Sequence, residues 1–365
     1  MSTSVLDTQP VGQVVIGVDT HKHVHVAVAL DVVAGRLAEL SIATDQGGYD
    51  HLARWAESLG HVLAFGIEGT GSYGAAVASF LRRRGHKVVE VNRPDRRVRR
   101  QRGKSDPIDA ENAARAVLAG IATATPKSGQ GNAEMIRVLK VARDQAVTDR
   151  TRAIITLKAL LITAPAELRD QLRSLTGRHL VRTCAALRPG PVTTPSAAAK
   201  HALRALARRW LVLDAEVAEH DQVIAALVQH AAPALTQAFG IGVDTAAEIL
   251  IVVGDNPERI HSQAAFAKLA GVAPVPASSG MHQRHRLNRG GHRQLNAALY
   301  RAVIVRMRFH APTNAYVTRR TAEGKTNREI IRCLKRYLAR EIYQILITDH
   351  TRALPPAHEP APTAG

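Results

Sequence analysis

Two apolar runs near the start of the chain each end on an acid. Val14–Val18 runs into Asp19, within Gly17-Val18-Asp19-Thr20-His21-Lys22. Val62–Ile67 runs into Glu68, within Gly66-Ile67-Glu68-Gly69-Thr70-Gly71-Ser72-Tyr73. A short, unbroken apolar run reads as a strand covered on both faces, so each acid marks the carboxyl end of an interior strand. Between them His23–Leu30 alternates, and Arg36–Ala43 follows a turn at Gly35, which gives an antiparallel meander of three strands. Helical spacing then fits Gly48–Leu59, Gly74–Arg84 and Pro107–Ala119, with a further strand at Lys87–Val91. Three strands followed by alternating helix and strand predict a mixed α/β domain. Its functional crevice should lie at the carboxyl ends of the strands, where Asp19 and Glu68 sit.

A third acidic motif is Lys104-Ser105-Asp106-Pro107-Ile108-Asp109-Ala110. Proline suits the first helical position and aspartate the cap before it, so Asp106 is expected to cap a helix that Pro107 opens. Asp109, three residues on, shares its face. Alone, this is an ordinary acidic helix start. Beside Asp19 and Glu68 it completes a set of four carboxylates that would repel one another unless a cation intervened. Hard oxygen donors point to Mg²⁺, at two positions and with Mn²⁺ as a substitute, serving phosphoryl chemistry. Asp31, Asp45 and Asp50 fall in turn or helix-start contexts and read as caps, while Glu111 neighbours the cluster.

The rest of the chain is strongly basic, with 49 Lys and Arg against 31 Asp and Glu and a formal charge of +18. Arg82–Lys104 carries 11 cations in 23 residues, and no acid occurs from Arg259 to Ala322. Such segments repel themselves and favour a polyanion, so nucleic acid is the expected partner. Arg96, Arg97, Arg99, Arg100 and Lys104 are the first candidates for backbone contact. Cys184 and Cys333 form no metal or disulfide framework, which fits a reducing cytosol. The longest strongly apolar run, Ile249–Val253, is far short of a membrane span.

Beyond a linker at Thr123–Asn132, long helices are expected at Ala133–Leu161 and Ser196–Ala231, separated by a shorter Ala166–Leu175 and a turn at Pro189–Pro195. Their apolar stripe suits either core packing or a coiled coil between subunits. Phe239-Gly240-Ile241-Gly242 opens a helix running to Val253. Gly240 and Gly242 there resemble a helix-hairpin-helix phosphate contact, or else a plain glycine cap. Helices follow at Gly291–Phe309 and Asn314–Thr348, the second with a candidate break at Gly324, and Leu354–Gly365 reads as a disordered tail. Ala277-Ser278-Ser279-Gly280 leads into Arg284, His285, Arg286 and Arg289. A serine in such a loop either attacks phosphorus or only donates hydrogen bonds to a phosphate, and residue chemistry alone favours the donor role.

In order and spacing, these motifs resemble the insertion-sequence transposases with an N-terminal DEDD, RuvC-like (RNase H-like) domain and a C-terminal serine domain, the bridge-RNA-guided recombinases. The resemblance extends from about Val14 to about Phe309. It implies a RuvC-like domain at 11–128, a helical dimerisation segment at 129–231, a mostly helical serine transposase domain at 232–352 and a tail at 353–365. It implies that Asp19, Glu68, Asp106 and Asp109 hold Mg²⁺. Ser279, with Ser278 as the neighbouring alternative, would be the nucleophile that forms a 5′-phosphoserine link. The implied partners are donor DNA, target DNA, an element-encoded bridge RNA and further copies of the chain, as dimers and synaptic tetramers whose subunits share active sites. The implied location is the bacterial cytoplasm, at the nucleoid, with no membrane partner. Two other readings predict different behaviour. A junction-resolving nuclease would use the same metals and water without a covalent adduct, and a non-enzymatic nucleic-acid-binding protein would not depend on a divalent metal.

Overall fold

A computed structural model describes residues 12–91, 105–277, 285–286 and 288–353. The chain forms two compact units. The first comprises described residues 12–129 together with 254–261, and the second comprises 130–253 with the remainder from 262.

The first unit is built on a five-stranded sheet of β1 (Gln13–Thr20), β2 (Val24–Asp31), β3 (Arg36–Ala43), β4 (His61–Glu68) and β5 (Val88–Val91), in the order β3-β2-β1-β4-β5. The meander β1-β2-β3 is antiparallel, while β4 and β5 run parallel to β1. This mixed sheet has the general character of an RNase H-like fold. The apolar runs β1 and β2 lie inside the sheet and are buried along six consecutive residues each, whereas β3 is an edge strand with only Ile42 buried. On one face Val14, Ile16, Val18, Phe65 and Ile67 pack under α1 (Gln46–Leu59) and α2 (Ala75–Arg83), through Leu52, Ala53, Val77, Phe80 and Leu81. On the other face Val15, Val28 and Leu30 pack against Ala110 and Ala114 of α3 (Asp106–Leu118).

The unit is closed by a segment from far along the chain. Asn256 is buried, accepts from the backbone N–H of Ser128 at 2.9 Å and donates to the carbonyl of Pro126 at 3.1 Å. One side chain thus satisfies two backbone groups of the segment that follows α3. The sequence gives no local signal for this pairing.

The second unit is helical. The expected long pair is α4 (Asn132–Ile162) and α7 (Pro195–Ala231), of 31 and 37 residues. Arg143 pairs with Asp221 at 2.9 Å and Arg150 with Asp214 at 2.6 Å, so ascending one helix descends the other. Leu157 and Leu161 pack on Leu203 and Ala207 along the shared seam. The connection is more elaborate than a Pro/Gly turn, because α5 (Ala166–Leu172) and α6 (Gly177–Ala185) fill it and bury Leu168, Leu172, Leu180, Val181 and Cys184. The short helices α8 (Pro233–Gln237), α9 (Val243–Val253) and α10 (Gln263–Leu269) follow, then a two-stranded ribbon of β6 (Val275–Pro276) and β7 (His285–Arg286). Last come α11 (Arg293–Phe309), α12 (Ala311–Ala322) and α13 (Asn327–Ala353). The expected break occurs at Gly324, which takes a left-handed φ of 77°. No helix among the described residues is long and apolar enough to cross a membrane.

Candidate metal centre and its surroundings

The register of the sheet sets the position of the acids. Gly17 of β1 pairs with Gly66 of the parallel β4, and Val18 with Ile67. Side chains alternate along a strand. Gly17 and Asp19 therefore share the face opposite Val18, and Gly66 and Glu68 share it too. Against this face lies α3. A Cβ added at Gly17 would stand 1.9 Å from the carbonyl oxygen of Ala110, and one at Gly66 would stand 2.9 Å from that of Ala113. Two adjacent glycines thus form a saddle on which the alanines of α3 rest backbone to backbone. Seating the helix there brings its N-terminus, with Asp106 and Asp109, to the strand ends. Thr20 donates its hydroxyl to the carbonyl of Glu68 at 2.8 Å and ties those ends together.

At the helix start the structure shifts one expectation. Ser105, not Asp106, occupies the cap position, and Asp106 and Pro107 are the first two helical residues. The backbone N–H of Asp109 donates to the Ser105 carbonyl at 3.1 Å. The cap moves back one residue because proline is tolerated anywhere in the first turn, where N–H groups lack helical partners. Both aspartates stay in that turn. Asp19 and Asp109 are buried, whereas Asp106 is half-exposed.

His21 completes the cluster, and the sequence reading passed over it. Its Nε2 lies 3.1 Å from Asp19 Oδ2 and 3.2 Å from Asp106 Oδ1. One donor atom from each of these three residues lies within 4.8 Å of the other two, close enough for one cation. Burial pushes the Asp19 carboxyl above its usual range; the His21 charge opposes this, and the charges of Asp109 and Asp106 add to it. An acid that resists ionisation because it is buried beside two others suits a divalent ion, which would stabilise the carboxylate. The oxygen-rich donor set is compatible with a hard divalent metal.

The other expected positions vary. Asp45 caps α1 by accepting from the N–H of Gly48 at 2.8 Å, and Asp31 accepts from Val33 and Gly35 in the β2-β3 turn. Asp50 pairs instead with Arg84 at 3.0 Å. Glu111 faces away into ion pairs with Arg115, at 2.7 Å, and Arg36, at 3.7 Å.

In the second unit, Gly240 is packed against α11, where an added Cβ would sit 3.0 Å from the carbonyl of Ala302, and Arg306 Nε donates to the Phe239 carbonyl at 2.7 Å. Gly242 borders open space. The first turn of α9 already carries Asp244, held by buried Lys140 at 2.7 Å and by Arg301 at 3.4 Å. Lys140 also reaches Asp144 and Glu248, so this node joins α4 to α9. Arg286 and Arg289 are exposed on and just after the ribbon. Ser278, Ser279, Arg284, Arg96, Arg97, Arg99, Arg100 and Lys104 lie outside the described residues.

Two transposase family models match the chain. One, of the DEDD type of IS110 elements, covers residues 16–164. The other, for transposases of the IS116/IS110/IS902 family, covers residues 232–318. The chain carries the transposase domains of this family. Both models describe transposases, and the carboxylate cluster lies inside the first match. A 42 kDa protein of insertion element IS900 from Mycobacterium paratuberculosis is 25% identical over 92% of this chain and 95% of its own length. A 43.6 kDa protein of insertion element IS110 from Streptomyces coelicolor is 35% identical, over 34% of this chain and 31% of its own. The pilin gene-inverting protein of Moraxella bovis is 30% identical, over 33% of this chain and 38% of its own. The chain thus matches about a third of the length of two of these relatives and nearly all of the third.

Proposed function

We propose that the chain is an RNA-guided recombinase that excises and inserts an insertion sequence by Mg²⁺-dependent strand cleavage and rejoining through a serine–DNA intermediate. The observation that carries this reading is the gathering of Asp19, His21, Asp106 and Asp109 at strand ends, on a basic chain with two transposase domains. Asp19, Glu68, Asp106 and Asp109 are the residues assigned to the metal. Bound there, Mg²⁺ would lower the pKa of an attacking hydroxyl and neutralise charge developing on phosphate.

The protein's own residues do the rest. Ser279 Oγ attacks the scissile phosphodiester, forms a 5′-phosphoserine bond and expels the 3′-hydroxyl of the neighbouring nucleotide. A 3′-hydroxyl from the strand to be joined then attacks the phosphoserine and releases the serine. Bond energy is conserved through the covalent link, which water-mediated cleavage would lose. Arg96, Arg97, Arg99, Arg100, Lys104, Arg284, Arg286 and Arg289 are assigned to nucleic-acid backbone, with Gly240 and Gly242 beside them. Donor DNA, target DNA and a guide RNA are the proposed partners. Val138, Val141, Ile155 and Val212 are exposed along α4 and α7, which supports assembly with further copies of the chain.

The test is a covalent-adduct assay with Mg²⁺, RNA from the element's flank, and matching donor and target DNA. A DNA-linked peptide is expected at Ser279, lost in Ser279→Ala and in Asp106→Ala. Cleavage by Ser279→Ala that leaves a free 5′-phosphate would replace the serine step with hydrolysis.

A further inference from the structure

The second unit holds a cationic groove that the carboxylate cluster does not use. Its volume is about 1300 Å³, and it is lined by Arg286 at the ribbon and by Arg328, Arg332, Lys335, Arg336 and Tyr337 on α13. Small-molecule pockets run to roughly 300–1,000 Å³, so this open groove suits a segment of a polymer. Among the described residues the one acid on its wall is Glu329, which accepts from the N–H and hydroxyl of Thr326 at 2.9 and 2.8 Å. Among the described residues no carboxylate pairs with Arg328, Arg332, Lys335 or Arg336.

Lys335 is the critical position. It is only 7% exposed, and its Nζ donates to the neutral Oδ1 of Asn296 at 2.9 Å. Arg336 has a buried Nη1 with no partner among the described residues. Burial and the neighbouring Arg332 hold the Lys335 ammonium below the usual lysine range. A buried ammonium that has only a neutral oxygen as partner and a cation beside it is costly unless an anion completes the site. Tyr337 adds a second requirement. Its ring is 51% exposed in the groove wall and is braced edge-on by Tyr316, with centroids 5.6 Å apart. A cationic track beside an exposed aromatic face is the arrangement that holds single strands, with phosphates on the cations and an unstacked base on the ring.

We infer that this groove seats a single-stranded segment of the DNA substrate, with phosphates on Lys335, Arg332 and Arg336 and one base on Tyr337. The choice of DNA rests on the transposase reading above, whereas the groove and its polarity do not. Asn296 makes Lys335 a positioning residue as well. Its Nδ2 donates to the carbonyls of Ala270 and Gly271, at 2.8 and 3.3 Å, in the turn that leads to β6. A phosphate held by Lys335 is therefore registered against the foot of the ribbon that flanks the serines in sequence.

The test is photo-crosslinking of the full-length chain to a single-stranded oligodeoxynucleotide carrying 5-iododeoxyuridine, followed by peptide mapping. A crosslink at Tyr337 is expected. Arg332→Gln with Arg336→Gln should cut its yield roughly tenfold or more, and Lys335→Gln should do the same, each with its circular dichroism unchanged. Labelling at Tyr337 by a wild-type chain that forms no phosphoserine in the adduct assay would count against the functional reading while supporting the groove. Labelling only at other peptides would overturn the groove. Stronger labelling of Tyr337 by duplex DNA, or by RNA of the same sequence, would overturn the assignment to single-stranded DNA.

Discussion

His21 and His25 lie four residues apart, yet the fold puts them to opposite uses. His21 stands between two carboxylates at the surface, whereas His25 is fully buried in β2 and stacked on Tyr49, ring centroids 6.0 Å apart. The backbone N–H of His21 donates to His25 Nδ1 at 3.3 Å, and His25 Nε2 is buried with no partner among the described residues. Burial holds the His25 pKa below the usual histidine value, and the charge of His21 adds to this. The native state therefore binds fewer protons than the unfolded chain, and stability falls as pH drops below about 6.5, the ordinary histidine value. Urea titrations of wild type and His25→Phe at pH 7 and pH 5 check this. The wild type should lose more stability between the two than the variant, and parallel losses would place the pH dependence elsewhere. Residue chemistry made the acids legible in the sequence but not His21. A histidine two residues after a strand-end acid looks like any polar turn residue until α3 brings Asp106 to its other side.

At the scale of elements, the decisive device is the glycine saddle. The sequence offers a signal for it, since each strand-end acid is preceded two residues earlier by a glycine within an apolar strand, and such a glycine marks a close backbone approach. What the sequence does not show is that Gly17 and Gly66 are neighbours in register, because that depends on a parallel pairing across a helical crossover. Gly66→Ala should cost about 1–3 kcal/mol, in line with overpacking of a close-packed contact. Since the alanine would lift α3 and draw Asp106 and Asp109 from the strand ends, strand cleavage should fall more than stability does. Guanidinium unfolding and a cleavage assay on one preparation separate the two effects, and full activity in a destabilised variant would show that α3 tolerates the shift. The strands and the long helices were legible because their periodicity is local. Helices α6, α8 and α10 were not, since they are short and take their stability from packing. Asn256 was equally hidden, because its partners lie 128 and 130 residues away in sequence.

For the whole molecule, the charge of +18 and the cluster of acids are complementary statements about one task. On the proposed reading the cations would draw in a polyanion over long range, and the few acids that gather on the sheet would hold a small cation. The measurement that bears most directly on this is calorimetric titration of the full-length chain with Mn²⁺ in the absence of nucleic acid, repeated on Asp19→Asn and Asp106→Asn. Saturable binding is expected in the wild type, weakening as pH falls because Asp19 must lose its proton, and it should be lost or much reduced in both variants. Indistinguishable binding by wild type and variants, with all three folded, would contradict a metal centre at these strand ends.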